Sequence, residues 1–319
     1  MNARHTEKVI ETAQSKSAAA QSRLAASWRR SIVTHGLDPA EHRAPERLDE
    51  PALKEKCEKL ERFLTIAAPK LDRLYTLVGS SGCGVLLTDA DGVILDQRCS
   101  EADAQVFRKW GLWRGAMWSE AAEGTNGIGT CLAEKRRLII HRDEHFFARN
   151  TDLSCMDAPI FGADGRVIAA LDVSSARTDK TEDFNRLIAA MVAQMAGQIE
   201  ADFFRASFPR SRVIVAESDE TGDAILIAVD EDDIVVGANR AARRAYDLGS
   251  EPALQPRPAA DLLEGHTDGS GFQKAERSTV KQALIRANGN VSAAARELGI
   301  GRATLYRRMK RLGLSENDG

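Results

Sequence analysis

This chain lacks the marks of a membrane or secreted protein. No stretch approaches the roughly 20 apolar residues that a membrane-spanning helix needs, and the polar N-terminus, MNARHTEKVIETAQSK, has no apolar core of the secretory type. Cysteine is scarce, and its five copies are odd in number and widely scattered, which favours reduced thiols over a disulfide framework or a zinc knuckle. We therefore expect a cytoplasmic protein that does not contact the membrane.

A strong charge of one sign is also missing from the chain as a whole. The net charge of the 319 residues is -3, and 43% of them are hydrophobic, which is enough for ordinary globular cores in two or more domains. The small net charge hides an asymmetry, because the C-terminal end is basic and the remainder is correspondingly acidic. We expect only the basic end to meet nucleic acid.

The basic end has the pattern of a helix-turn-helix, NVSAAARELGIGRATLYRRMKRLGL, at residues 290–314. Ser292 is a good N-cap for a first helix, and Gly299 supplies the backbone freedom that ends it. A second helix opens near Arg302. Its buried stripe is predicted to consist of Leu305, Met309 and Leu312.

The polar side chains of this second helix must face away from the protein, which gives a basic face that can enter a DNA groove. Side chains near the start of such a helix reach base edges, while the flanking cations hold phosphates. We predict base contacts by Arg302, Thr304 and Tyr306, and phosphate contacts by Arg307, Arg308, Lys310, Arg311 and Ser292. The alternative is a solvated surface helix, but the glycine turn and the excess of cations favour DNA.

These residues resemble the Fis-type DNA-binding domain that ends many bacterial enhancer-binding proteins. The resemblance covers residues 272–314, and the chain departs from the nucleoid protein Fis at Gly301 and Tyr306. It implies a small all-α domain, which we place at residues 272–319, and double-stranded promoter or operator DNA as the partner. The matching motifs are Glu276-Arg277, Ala283-Leu284, Ala294-Ala295, Leu298-Gly299-Ile300 and Thr304-Leu305-Tyr306.

Two helical patterns precede the centre of the chain. Residues 21–38 predict a helix with Leu24, Trp28 and Ile32 on one face. A longer helix begins near Pro51 and carries apolar residues at alternating spacings of four and three.

The longer helix allows two interpretations. Its seam is typical of a coiled coil and would make it a dimerisation helix, with a kink expected at Pro69. Packing of the helix on its own domain stays open, because Phe63 and Tyr75 widen the stripe beyond a strict seam.

A mixed region follows, with short strands between helices. Antiparallel strands flanked by helices give an α+β fold of the kind that sensor domains use. We predict helices at residues 101–110 and 181–204 and strands at residues 84–89, 93–97, 138–141, 157–161 and 167–174.

Motifs in this region resemble the GAF domain of acetoin-catabolism-type transcriptional regulators, and ASWRRS at residues 26–31 resembles their N-terminal helix. The resemblance implies an N-terminal helical segment at residues 1–50 and a GAF-like sensor domain with long flanking helices at residues 51–208. The GAF-like motifs are EGTNGIGT at residues 123–130, EHF at 144–146, API at 158–160 and LDVS at 171–174.

A GAF fold implies a ligand cavity between the sheet and the covering helices. Each candidate for its lining has an alternative as ordinary core, since tryptophans are usually buried and a lone cysteine behaves as a small hydrophobe. The ligand-binding candidates are Trp118, Asn126, Cys131, His141, His145, Phe146 and Cys155.

Enzymatic and cofactor chemistry is not expected. The glycine-rich segment fails as a phosphate loop, because no lysine stands between Gly129 and Thr130, and it is better explained as a helix start. His141 and His145 would share a face only on a helix, but His141 ends a strand-like run, so we expect no metal site. Some GAF domains reduce free methionine sulfoxide, but that needs an accessible thiolate, and we predict no catalytic residues and no cofactor.

Residues 213–248 resemble the opening of a PAS domain, and residues 249–271 have the composition of a linker. Enhancer-binding regulators carry an ATPase domain of the AAA+ class between sensor and DNA-binding domain, but no Walker lysine occurs here. We therefore expect a sequence-specific transcriptional regulator that senses a small-molecule effector and works without ATP hydrolysis.

Such a regulator would bind two half-sites as a homodimer. It would repress, recruit RNA polymerase, or compete or cooperate with a full-length enhancer-binding relative. The alternatives are a Fis-like architectural protein that bends DNA with low sequence preference, and the GAF thiol enzyme.

Overall fold

The computed structural model describes residues 2–41, 43–175, 177, 181–217, 224–230, 234–249 and 289–314, together with isolated residues between 251 and 287. The chain forms two compact units, residues 1–231 with 236–255 and residues 232–235 with 256–319. Among the residues described, no helix has the length and apolar character to cross a membrane.

Short helices open the first unit. The hydroxyls of Ser15 and Ser22 accept the N–H groups of Ala18 and Ala25 and so cap the two helices that follow them. The predicted apolar face is confirmed, since Leu24, Trp28 and Ile32 pack in one cluster, but the last part of that helix is π-helical. The elements are α1 (Asn2–Gln14), α2 (Lys16–Gln21), α3 (Arg23–Arg29) and the π-helical turn Arg30–Thr34.

The long helix is divided in two, α4 (Glu50–Lys59) and α5 (Glu61–Val78). The interruption lies at Leu60, where the backbone leaves the helical region, and Pro69 lies inside α5. Of the two interpretations of the apolar stripe, packing on the chain's own core is observed. Its buried members are Leu53, Phe63, Ala67, Leu71, Leu74 and Val78.

A five-stranded antiparallel sheet forms the centre of the unit, in the order β2-β1-β5-β4-β3. The predicted strands are all present, although β4 begins earlier than expected, at Ser154. The strands are β1 (Cys83–Thr88), β2 (Ile94–Arg98), β3 (Leu138–His141), β4 (Ser154–Phe161) and β5 (Val167–Ser175).

Helices cover both faces of this sheet, which confirms the α+β fold. Successive side chains of β4 point to opposite faces of the sheet and so belong to two different cores. Met156 and Ala158 pack against α5 and a long helix, α9 (Glu182–Ser207), whereas Cys155 faces the other side. Helices α6 (Glu101–Trp110) and α8 (Gly127–Glu134) contribute residues to the core on that other side, and the short helix α7 (Glu120–Glu123) lies between them in the chain.

A second sheet, in the order β6-β7-β8, follows α9. Leu226 and Ala228 of this sheet pack with Phe204 near the end of α9, so the PAS-like fragment shares a core with the preceding helix. Most of the expected linker at residues 249–271 lies outside the described residues. The elements are β6 (Arg212–Glu217), β7 (Ala224–Val229), β8 (Val235–Ala238) and α10 (Arg240–Ala245).

The second unit contains the helix-turn-helix, with α11 (Val291–Glu297) and α12 (Arg302–Arg311). The expected N-cap at Ser292 is wrong. Asn290 caps α11 by accepting the Ala293 N–H at 3.1 Å. The helix therefore begins two residues earlier than expected, at Val291, which is buried in the small core.

Candidate functional site

The turn between α11 and α12 fixes the position of the second helix. Gly299 has φ +65, the left-handed region that glycine adopts without a Cβ penalty, as predicted. The Ile300 N–H donates to the Ala295 carbonyl at 3.0 Å, and the Gly301 carbonyl accepts from Leu305 N–H at 3.0 Å. The first bond ties the turn to the end of α11, and the second is the first backbone bond of α12.

Leu305 and Met309 of α12 are buried in the core of the second unit, as predicted, and Leu312 packs against it. Successive residues of an α-helix are about 100° apart, so the side of α12 opposite this stripe carries Ala303, Arg307 and Lys310. All three are exposed. Ala303 is not among the DNA contacts predicted from residue type, and only its position on the helix shows that it shares this face.

Arg302 and Tyr306 form a pair on the flank of this face. The Arg302 Nη2 donates to the Tyr306 hydroxyl at 3.4 Å, and the guanidinium lies 5.5 Å from the ring centroid. Both are predicted base contacts. Thr304, the third predicted base contact, is half-buried and immediately precedes the buried Leu305.

Two of the predicted phosphate contacts are held by a carboxylate of the same unit. Arg308 Nη1 lies 3.1 Å from Glu276 Oε1, and Arg311 Nη2 lies 2.5 Å from Glu276 Oε2. The Glu276 side chain is 8% exposed, whereas the arginines are 42% and 56% exposed. Arg308 and Arg311 therefore present their guanidinium groups outward while tied to the preceding helical segment.

Three of the ligand candidates take part in the packing and helix capping of the first unit. Trp118 donates its indole N–H to the Gly111 carbonyl at 2.8 Å, and Asn126 caps α8 by accepting from Gly129 N–H at 2.8 Å. Phe146 packs in the cluster of α1 and α3. Each has a clear structural role, and Asn126 at the start of α8 confirms the helix start in the glycine-rich segment.

The two histidines lie in different surroundings. His141 Nδ1 approaches Ser154 Oγ at 2.7 Å and accepts from Asn185 Nδ2 at 3.2 Å, on the α9 side of the sheet. His145 is fully buried elsewhere. Among the described residues, no group of three or more histidine, cysteine, aspartate or glutamate side chains is placed to hold a metal ion.

His145 and Cys155 form a buried imidazole–thiol pair. His145 Nδ1 lies 2.9 Å from the Arg142 carbonyl and must donate to it, which leaves Nε2 to accept from the Cys155 thiol at 3.5 Å. Burial lowers the pKa of His145 to about 4 and raises the pKa of Cys155. Both groups are therefore neutral near pH 7. Cys131 is buried in the core on the same side of the sheet.

Two aspartates that are not ligand candidates lie beside this pair. Asp157 and Asp172 are direct partners across β4 and β5, and both are fully buried. Burial raises the pKa of Asp157, as does the neighbouring charge of Asp172, and burial raises the pKa of Asp172 to about 7. An acidic residue within an otherwise apolar strand was the signal that could have found them.

The aspartates connect to the thiol through Ser174, whose hydroxyl donates to Asp172 Oδ2 at 2.8 Å and lies 3.2 Å from Cys155 Sγ. Gly127, the first residue of α8, closes over them. A Cβ at this position would lie 2.1 Å from Asp157 Oδ2. The cluster is thus closely packed between the sheet and α8.

Comparison with known proteins gives the family. The family model "MimR, N-terminal domain" matches residues 2–201, well over half of the chain. The chain belongs to this family. A second model, "Bacterial regulatory protein, Fis family", matches residues 272–312, the segment that contains α11 and α12. No Walker lysine occurs between the two matched segments.

Two relatives of this MimR-family chain are named as regulators. The "Acetoin catabolism regulatory protein" of Cupriavidus necator is 36% identical over 71% of this chain and 35% of its own length. The "Propane 2-monooxygenase operon transcriptional activator MimR" of Mycolicibacterium smegmatis is 28% identical over 62% of this chain and 32% of its own length. The chain therefore spans about a third of the length of these relatives.

A solved structure shares the fold. The crystal structure of the E. coli DhaR(N)–DhaL complex is similar to 80% of this chain and 86% of the matched chain, with a TM-score of 0.52 and 17% identity. The antiparallel sheet with flanking helices is thus a fold that a solved protein also adopts.

Proposed function

We propose that the protein is a sequence-specific transcriptional regulator, with a C-terminal unit that binds DNA and an N-terminal GAF-like region that senses a small-molecule effector. The single observation that carries this proposal is the outward basic face of α12 in a Fis-type helix-turn-helix. Membership of the MimR family supports the sensory part. The segment between the two regions contains no Walker lysine, so we propose that the regulator works without ATP hydrolysis.

The DNA-binding residues follow from their positions on α12. We propose base contacts by Arg302, Thr304 and Tyr306. We add Ala303, and we move Arg307 from the phosphate contacts to the base contacts, because both lie on the side of α12 opposite Leu305, which enters a groove first. A small alanine there suits a thymine methyl group. The proposed phosphate contacts are Lys310, Arg308, Arg311 and Ser292.

We place the binding site of the effector in the first unit. Both named relatives concern the use of small carbon compounds, acetoin and propane, and we propose that the effector is of this size class. A homodimer on two half-sites would supply the affinity that one small helix-turn-helix lacks. RNA polymerase or a full-length relative is the proposed downstream partner.

A non-enzymatic role is supported by the state of the buried thiol. A thiol enzyme needs a thiolate, but burial raises the pKa of Cys155 and its imidazole partner is neutral near pH 7. The pair therefore gives no basis for nucleophilic chemistry.

The proposal is tested by selecting duplexes from a random pool with the full chain. Arg302→Ala and Arg307→Ala should each broaden the selected sequence, at a cost of about 1–3 kcal/mol at the base position they read. Arg186→Ala, on the exposed face of α9, is the matched control and should select the wild-type sequence. Failure of the wild-type chain to enrich any sequence would reject the proposed function, and enrichment of the same sequence by all four proteins would reject base contacts by Arg302 and Arg307.

A further inference from the structure

A cleft of about 130 Å³ lies between α3, α8 and β3 in the first unit. Its base is formed by three buried hydroxyl side chains, Ser27, Thr125 and Thr130. Aliphatic side chains, among them Leu24, Leu138 and Ile140, line the cleft beside these hydroxyls, and charged side chains complete the lining. None of these residues was a ligand candidate by sequence.

The Glu120 carboxylate orients the hydroxyl groups at the bottom of the cleft. Ser27 Oγ donates to Glu120 Oε1 at 2.6 Å, so its oxygen is left to accept from Thr125 Oγ1 at 2.7 Å. Thr130 Oγ1 accepts the Asn126 N–H at 3.3 Å and approaches Ser27 Oγ only at 3.5 Å, the limit of a hydrogen bond. The Thr130 hydroxyl can therefore donate to a guest in the cleft.

The helix that forms one wall is irregular at this point. Directly after α3 the chain makes the π-helical turn Arg30–Thr34, a rare geometry that is frequent at functional sites. In this turn Arg30 Nη2 reaches Glu120 at 3.0 Å and Glu134 at 3.2 Å, while the Ser31 hydroxyl donates to the Ser27 carbonyl at 3.0 Å. The turn thus places the Arg30 guanidinium against the Glu120 carboxylate, which orients Ser27.

From this geometry we infer that the cleft between α3, α8 and β3 binds a small uncharged compound carrying hydroxyl or carbonyl groups. The volume equals that of about four waters at roughly 30 Å³ each. The lining contains two arginines and two glutamates, so the cleft favours no net charge, and its aliphatic side chains suit a short carbon chain. The inference rests on the proposed sensor function and names the chemical class and site of the effector.

The test uses the full chain and three probes of this class, 1,2-propanediol, hydroxyacetone and glycerol, with propionate as a charged comparison. Amide chemical shifts in titrations by NMR should saturate for at least one probe, with the shifts located in α3, α8 and β3, and not for propionate. Thr130→Val keeps the shape of the side chain but removes the hydroxyl, and it should weaken binding roughly tenfold.

Thr65→Val is the matched control, since Thr65 is exposed on α5 and donates to its own helix. It should bind as the wild type does. Absence of saturable shifts with all three probes, or equal weakening by Thr65→Val, would overturn the inference.

The same preparations separate this inference from the proposed function. Duplex binding without probe binding would remove the cleft as the effector site and leave the regulator standing. Probe binding by a chain that selects no duplex would reject the regulator and keep the site.

Discussion

Replacement of Glu276 by glutamine should make DNA binding tighter, less selective and more sensitive to salt. Glu276 holds both Arg308 and Arg311, so this cluster of three side chains carries one net positive charge. Glu276→Gln raises that charge to two. Since each phosphate neutralised changes the slope of log K against log salt by about 0.9, we expect a slope steeper by about 0.9 and roughly eightfold tighter binding to random duplex near 0.1 M salt.

The fold should survive this change, because partly exposed ion pairs contribute roughly 0.2–1 kcal/mol each and glutamine keeps an acceptor for arginine. Fluorescence anisotropy with a random duplex at several salt concentrations measures the slope. Glu297→Gln is the control, since Glu297 pairs with Arg286 at 2.8 Å and not with α12. An unchanged slope for Glu276→Gln, or the same change in the control, would refute the assignment of the two arginines to the DNA backbone.

Three further predictions concern the first unit. Gly127→Ala should destabilise it by roughly 1–3 kcal/mol in thermal unfolding, because the new Cβ would strike Asp157, whereas Gly197→Ala, with nothing within 4 Å, should stabilise α9 by about 0.5–1 kcal/mol. The pKa of Asp172 is raised from 3.8 to about 7, so its carboxyl makes the wild-type chain less stable as pH rises through that interval, and Asp172→Asn should flatten this part of the stability profile. A thiol reagent should modify half-buried Cys57 in the native chain, but the buried Cys83, Cys131 and Cys155 only after unfolding.

The helix-turn-helix could be predicted because its signals are local. Gly299 ends one helix, and Leu305 and Met309 lie on one side of the next at helical spacing. The N-cap was misplaced because Asn290 and Ser292 are both good caps, and only the burial of Val291 decides between them.

Contacts between distant segments could not be predicted in this way. Asp157 and Asp172 lie side by side only because β4 pairs with β5 in that register. The Glu276 contacts depend on how α12 packs beside the preceding helical segment. Neither proline nor glycine lies beside the break at Leu60, so the sequence predicts a continuous long helix.

We propose that the second unit meets DNA through α12. Amide hydrogen exchange of the full chain, with and without its selected duplex, tests this most directly. We expect added protection in residues 289–314, centred on α12, and little change in the five-stranded sheet. Protection confined to the first unit, or none at a duplex concentration that saturates binding, would contradict the account.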